Sequence, residues 1–214
     1  MAEGKQKSDS KTRLRLLETA ERLFAERGFS SVSLRKITRE ADVNVAAVKY
    51  HFGSKDELIT AVEKRMTFPV NEERLMRLDK LEQEGGYDVR ALLRALIEPF
   101  MGKLDGSEMS HRLFSQFMAR FLMERRQQIE SEIKENFQEV ARRYVAAFKV
   151  VTPWLTASQI IWRIDFSFGV FTNALLHRDI LPQIVEVDPS DTEMDILLEK
   201  LLDFCVAGFE TGKK

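Results

Sequence analysis

Cysteine is nearly absent. Cys205 is the single thiol in 214 residues, so no internal disulfide can form and a disulfide-built secreted module is excluded. Five prolines and ten glycines are too few for the turn-rich all-β classes. No run approaches the roughly 18 apolar residues of a membrane span, and the polar start, Met1 to Ser10, lacks the apolar stretch of a secretory signal. Neither sign of charge dominates: 33 Lys and Arg meet 34 Asp and Glu, a net of −1, so any electrostatic reading must be local. What is abundant is 44% hydrophobic and 31% charged residues, the composition of a packed globular chain rich in helix. A reducing, cytoplasmic location with no membrane partner is the expectation.

Periodicity fills in the helices. Residues 1–9 read as a disordered polar arm, after which 11–28 place Leu14, Leu17, Ala20, Leu23 and Phe24 at helical spacing and stop at Gly28. Ser33 stands as N-cap of a short helix, Leu34 to Ala41, with Leu34, Ile37 and Ala41 inward. Asp42-Val43-Asn44 is a tight connection, and Asn44 caps a third helix, Val45 to His51. Ser54 and Glu57 have the capping-box spacing ahead of Leu58, Ile59 and Val62, opening a fourth helix that Pro69 should interrupt, with 70–82 continuing after a kink and Gly85-Gly86 at its close. Helices follow at 88–104, 108–123 and 125–151. Thr156 with Gln159 and Ser190 with Glu193 repeat the capping-box spacing and open two terminal helices, 156–178 and 190–210. The expectation is an all-α chain of about nine helices: a three-helix module over 1–53 and a larger body over 54–214.

Two short helices joined by a three- to four-residue turn are the helix-turn-helix pattern, whose second helix fits the major groove. Along Val45 to His51, the residues Val45, Ala46 and Lys49 project away from Ala47, Val48 and Phe52, which face inward. Small side chains at the leading end let the backbone approach base edges, apolar ones can touch thymine methyls, and Lys49 adds a cation one turn deeper. Lys55 lies in the first turn of the fourth helix, where unpaired amides and the helix dipole attract a phosphate. Residues 1–65 carry fourteen Lys and Arg against ten Asp and Glu, and the remainder is net acidic, as a DNA-binding module on a regulatory body would be. Ordinary charge scatter is the alternative for that asymmetry, and solvated surface lysines are the alternative for Lys49 and Lys55.

The stretch Ser33-Leu-Arg-Lys-Ile-Thr-Arg-Glu-Ala-Asp-Val-Asn-Val-Ala-Ala-Val-Lys-Tyr-His-Phe-Gly-Ser-Lys-Asp-Glu-Leu58 resembles the TetR family of bacterial transcriptional regulators. So does the preceding Ala20-x-x-Leu-Phe-Ala-Glu-Arg-Gly-Phe29. The rest of the chain matches only in length and helicity. The resemblance implies Arg35 for a base or phosphate, Val45, Ala46 and Lys49 for the groove, and Ser33, Tyr50, His51 and Lys55 for phosphates; Asn44 at the cap completes the set. Many relatives carry an aromatic where Lys49 stands, so the groove contact here is expected to be cationic. The family also implies a double-stranded DNA operator, a small-molecule effector of unknown identity, a homodimer, and no cofactor.

For the body, residues 113–123 with Phe100, Met101, Trp162, Phe166 and Phe168 supply more aromatic and Met surface than a thin bundle needs. The expected effector pocket takes Phe100, Met101, Phe114, Phe117, Met118, Phe121, Trp162, Arg163 and Phe166, with plain core as the alternative for each. The helix at 156–178 is apolar almost all round and the last helix is similarly supplied. A two-fold four-helix interface is expected from Ile164, Phe168, Phe171, Leu175, Leu198, Leu201, Leu202, Cys205 and Phe209. The mechanism that follows is derepression: an effector prefers a conformation with the fourth helix displaced, and operator binding weakens.

Enzymatic readings are weak. Glu108-Met-Ser-His111 has the E-x-x-H spacing of di-iron bundles, but His51 and His177 follow Val48 and Ala174, so no second pair exists. Cys205 has no nearby histidine or lysine to activate it, and no phosphate-binding glycine loop, zinc spacing or nucleophile elbow occurs. A helical carrier of hydrophobic molecules that never touches DNA is the better rival, and an activator of the same family is another.

Overall fold

The computed structural model describes residues 2–102, 111–124, 131–178, 180–186, 188 and 193–212, and every regular element among them is a helix. The elements are α1 (Ala2–Arg27), α2 (Leu34–Glu40), α3 (Val45–Phe52), α4 (Lys55–Glu84), α5 (Val89–Ile97), α6 (Pro99–Gly102), α7 (His111–Glu124), α8 (Ser131–Val151), α9 (Ala157–His177), α10 (Leu181–Ile184) and α11 (Met194–Glu210). They form two compact units, one of residues 1–68 with 112–133 and one of residues 69–111 with 134–214.

In the first unit, α1 buries Leu16, Leu17, Ala20, Leu23 and Phe24, while Leu14, expected inward, is exposed. The stripe is therefore set by the i, i+3, i+4 series from Leu16 onward. Residues 2–9, expected as a disordered arm, extend α1 instead; Ala, Glu, Lys and Gln are good helix formers, and lengthening an existing helix avoids the nucleation cost. Gly28 ends α1 at φ +85°, its amide bonded to Phe24 O at 2.9 Å. α1, α2 and α3 pack mutually around Ile37, Val48, Phe52 and Val32. α7 joins them through buried Phe114, Phe117 and Phe121, with the Phe117 ring edge-on to Phe29 at 5.6 Å.

Pro69 does not interrupt α4, which is helical from Lys55 to Glu84. One proline removes a single ladder bond, and the buried flanks Met66, Thr67, Val70 and Asn71 hold the helix on both sides. Gly85 and Gly86, at φ +68° and +69°, close it as expected. The expected helix 88–104 is instead two, because Pro99 cannot donate to the turn before it: α5, capped by Asp88 on Ala91 N at 2.8 Å, stops at Ile97 and α6 begins at Pro99.

The second unit packs α11 against α5 and α9, with Phe148 of α8 stacked on Phe209 at 4.7 Å. On its surface Arg90 pairs with Glu199 and Asp203, and Arg94 pairs with Glu199. α11 starts at Met194 with Glu193 as an N-cap that makes no side-chain bond; Ser190, expected to open a capping box with Glu193, lies outside the described residues. At α9 the expected box is present in full: Gln159 N donates to Thr156 Oγ1 at 3.2 Å and Thr156 N donates to Gln159 Oε1 at 2.8 Å. Thr156→Ala is expected to lower unfolding free energy by about 1 kcal/mol in urea melts, with Thr156→Ser near wild type.

Candidate nucleic-acid interface and regulatory unit

α3 is held from below and open above. Val48 and Phe52 are buried, Ala47 is half-buried, and the Arg13 guanidinium lies over the Phe52 ring at 5.1 Å. The opposite face carries Val45, 45% exposed, with Ala46 and Lys49, both exposed. Both expected caps form: Lys36 N donates to Ser33 Oγ at 3.3 Å and Ala46 N donates to Asn44 Oδ1 at 2.8 Å. Ser33 and Asn44 thereby fix the two helix starts, and Arg35 stands exposed on α2.

The remaining candidates already have partners within the unit. Tyr50, 75% exposed, donates its hydroxyl to Asp9 Oδ2 at 3.3 Å. The His51 side chain is largely covered, with Nε2 3.5 Å from Asp9 Oδ1. Lys55 donates its ammonium to Phe29 O at 2.8 Å, tying the start of α4 to the loop after α1.

The nine residues expected to line one effector pocket are distributed over the two units. Phe114, Phe117, Met118 and Phe121 are core of the first unit, while Phe100 and Met101 are buried in the second. Trp162 and Phe166 stand 58% and 62% exposed, and Arg163 donates Nε to Gly208 O at 2.9 Å. Most of the residues expected at the dimer face are buried within the chain itself. Phe171, Leu175, Leu198, Leu201, Leu202, Cys205 and Phe209 are buried where α9 and α11 pack in the subunit's own core, with Ile164 and Phe168 half-buried. Burial pushes the Cys205 thiol up, away from a reactive thiolate. Among the large apolar side chains exposed to solvent are Ile161, Trp162 and Phe166 on α9 and Phe204 on α11.

In the second unit a shallow apolar cleft, with room for about one water, lies between α9 and α11 and is lined by Met101, Phe171, Ala174, Leu175, Met194, Leu197, Leu198 and Leu201. Near it in the same unit sits a buried cation, Arg74, only 2% exposed. Arg74 donates Nε to Leu96 O and Nη1 to Asn71 Oδ1, each at 2.8 Å, and lies 4.0 Å from the Phe100 ring centroid and 4.9 Å from that of Phe168. Burial pulls its pKa down to about 9. Tyr144, buried beside it, donates its hydroxyl to Arg74 O at 3.0 Å.

Two family models match the chain. The tetR family model of bacterial regulatory proteins covers residues 16–62, the span of the helix-turn-helix, and the tetracyclin repressor-like C-terminal domain covers residues 94–208, more than half of the sequence. The chain belongs to the TetR family. That is a family of helix-turn-helix transcriptional regulators, not of enzymes. Among relatives, the probable transcriptional regulator YttP of Bacillus subtilis is 44% identical over 48 residues, 22% of this chain and 23% of that one. The nicotine-responsive transcriptional repressor HdnoR of Paenarthrobacter nicotinovorans is 31% identical over 98 residues, 46% of this chain and 48% of its own. The chain thus matches less than half the length of either relative. A crystal structure of a TetR family regulator from Marinobacter aquaeolei shares the fold with a TM-score of 0.66 at 20% identity, covering 95% of this chain and 97% of that one.

Two residues of this TetR chain that sequence reasoning did not single out hold the helix-turn-helix from α7. Arg120 donates Nε to Ala25 O at 3.0 Å and Nη2 to Glu26 O at 3.2 Å, placing a cation on the carbonyl end of α1. Glu124 accepts from Phe29 N at 2.9 Å and Ser30 N at 3.4 Å beside Gly28. The signal was the i, i+4 pairing of Arg120 with Glu124 on an aromatic-rich helix. Among the described residues no cluster of His, Cys, Asp and Glu is placed to hold a metal, and no helix is long and apolar enough to cross a membrane.

Proposed function

We propose that this chain is a repressor that binds a palindromic double-stranded operator as a homodimer through α3 and lets go of it when a small effector binds the body. The observation that carries the reading is the division of α3 into two faces: Val48 and Phe52 fasten it, and Val45, Ala46 and Lys49 are offered outward at its leading end. In this reading the DNA-binding domain is residues 1–53 and the regulatory and dimerisation domain is residues 54–214. Arg35, Ser33, Asn44, Tyr50, His51 and Lys55 flank the groove helix and contact the backbone of the duplex, with phosphates taking over the Asp9 carboxylate's place at Tyr50 and His51.

Ile161, Trp162, Phe166 and Phe204 supply the dimer face, because large exposed aromatics on two packed helices are costly in water and fit a self-complementary patch. A two-fold dimer also sets two α3 helices to read half-sites about 34 Å apart on one face of the duplex. Control by an effector is supported by the apolar cleft beside Phe171 and by a relative named for its response to nicotine.

Selecting bound fragments from random duplexes with the purified chain tests the reading. The expected result is a palindrome whose affinity falls steeply with salt, as phosphate neutralisation requires. Failure to enrich any duplex, together with binding of hydrophobic ligands that ignores salt, would leave the carrier in its place.

A further inference from the structure

We propose that Asp9 is a built-in competitor for DNA: its carboxylate occupies the place of an operator phosphate at the end of α3, and the duplex must displace it to dock fully. This rests on the operator-binding reading and assigns a residue that limits how tightly the chain binds.

Asp9 is brought there by the length of α1. Residues 2–10 extend that helix, so Asp9 and Arg13, four residues apart, lie on one face of it. Both reach the C-terminal turn of α3. The Arg13 guanidinium lies over the Phe52 ring at 5.1 Å, and the Asp9 carboxylate is divided between the two residues before it. Oδ2 accepts from the Tyr50 hydroxyl at 3.3 Å, and Oδ1 stands 3.5 Å from His51 Nε2. The non-bridging oxygens of a phosphodiester present the same pattern, one negative charge spread over two acceptors with no proton to give. A pair of side chains that holds this carboxylate can hold a phosphate.

The contact does little for the fold. The Tyr50 ring is 75% exposed and the Asp9 side chain 48% exposed, so water replaces either partner at small cost. The core beneath is closed by Val48 and Phe52, which do not depend on it. Against DNA the carboxylate acts twice: it fills two of the backbone contacts of α3, and it sets a negative charge beside a polyanion. Val45, Ala46 and Lys49 are open to the groove from the start, whereas Tyr50 and His51 must first be released. Docking is therefore an exchange. The phosphate contacts at the end of α3 form as the exposed Asp9 side chain turns to another rotamer and into solvent.

The test is fluorescence anisotropy of the full chain on the selected palindrome, at pH 7 and one salt concentration. Asp9→Asn removes the charge at constant size, and Asp9→Ala removes the acceptor too. Each is expected to bind about tenfold tighter than wild type, about threefold for each half-site of a dimer, with the melting temperature unchanged. In a Tyr50→Phe background, where the exposed ring is kept and its hydroxyl is gone, the gain from Asp9→Ala is expected to shrink to about threefold or less. A gain of undiminished size in that background overturns the proposal, because any negative charge near DNA would act so. Binding no tighter than wild type in both Asp9 variants overturns it as well, and a lowered melting temperature beside it would make Asp9 a structural tie. Duplex selection repeated with Asp9→Ala separates the two readings. No duplex enriched by either chain removes the repressor and this proposal together, whereas operator binding by wild type without a gain in the variants removes this proposal alone.

Discussion

Val45→Glu is expected to destroy operator binding while leaving the fold intact. Val45 is the first residue of α3 and 45% exposed, so its side chain contributes little to the core that Val48 and Phe52 build. A carboxylate in a first turn interacts well with the helix dipole, and the substitution should not lower the melting temperature. Against DNA the same carboxylate meets phosphates and base acceptors in place of a methyl contact. A lost groove contact costs about 1–3 kcal/mol, and a dimer loses it twice, so affinity should fall by roughly thirtyfold to twenty-five-thousandfold. Lys49→Met should act in the same direction and also reduce the salt dependence, by a slope of about 0.9 for each phosphate no longer neutralised. Fluorescence anisotropy on the selected palindrome at several salt concentrations reads both. Unchanged affinity in Val45→Glu at unchanged stability would mean that α3 is not the groove helix.

The second large effect is on assembly. Trp162→Glu combined with Phe166→Glu places two charges on α9 where the rings are 58% and 62% exposed and 5.8 Å apart, and the double variant should sediment as a monomer. Folding should survive, because neither ring is core. The contrasting substitution is Leu202→Ala on the fully buried side of α11, expected to cost about 2–5 kcal/mol of stability without specifically dissociating the dimer. Operator affinity of the monomeric double variant should drop sharply, since each half-site is then bound without the contribution of the other. A double variant that remains dimeric by sedimentation would move the interface elsewhere.

The helix-turn-helix was legible in the sequence because everything that defines it is local. Caps at Ser33 and Asn44 act over two or three residues, the tripeptide Asp42-Val43-Asn44 admits few conformations, and the apolar spacing on α3 leaves one inward face. The body was legible as helices but not as surfaces. α9 carries apolar side chains on nearly every side, so periodicity alone could not tell the face that meets α11 from the face that meets solvent. The expected dimer face took Phe171 and Leu175, which are buried within the chain, and left out Trp162 and Phe166, which are exposed. The packing partner of the aromatic run of α7 was hidden for another reason. Phe117 packs on Phe29, and Glu124 bonds to Phe29 across 95 residues, a return of the chain that no local pattern encodes. Arg74 was passed over inside a charged stretch, Glu72-Glu73-Arg74. Yet Val70, Arg74 and Leu78 fall at i, i+4 and i+8, and that stripe is the buried one.

The hold of α7 on the end of α1 grips only main-chain atoms: the carbonyls of Ala25 and Glu26 and the amides of Phe29 and Ser30. Side chains on α2 and α3 take no part in it. In the proposed reading, operator preference can therefore drift through substitutions on the exposed side of α3 while the attachment of α7 to α1 stays as it is, so that new target sequences need not disturb the packing of the first unit.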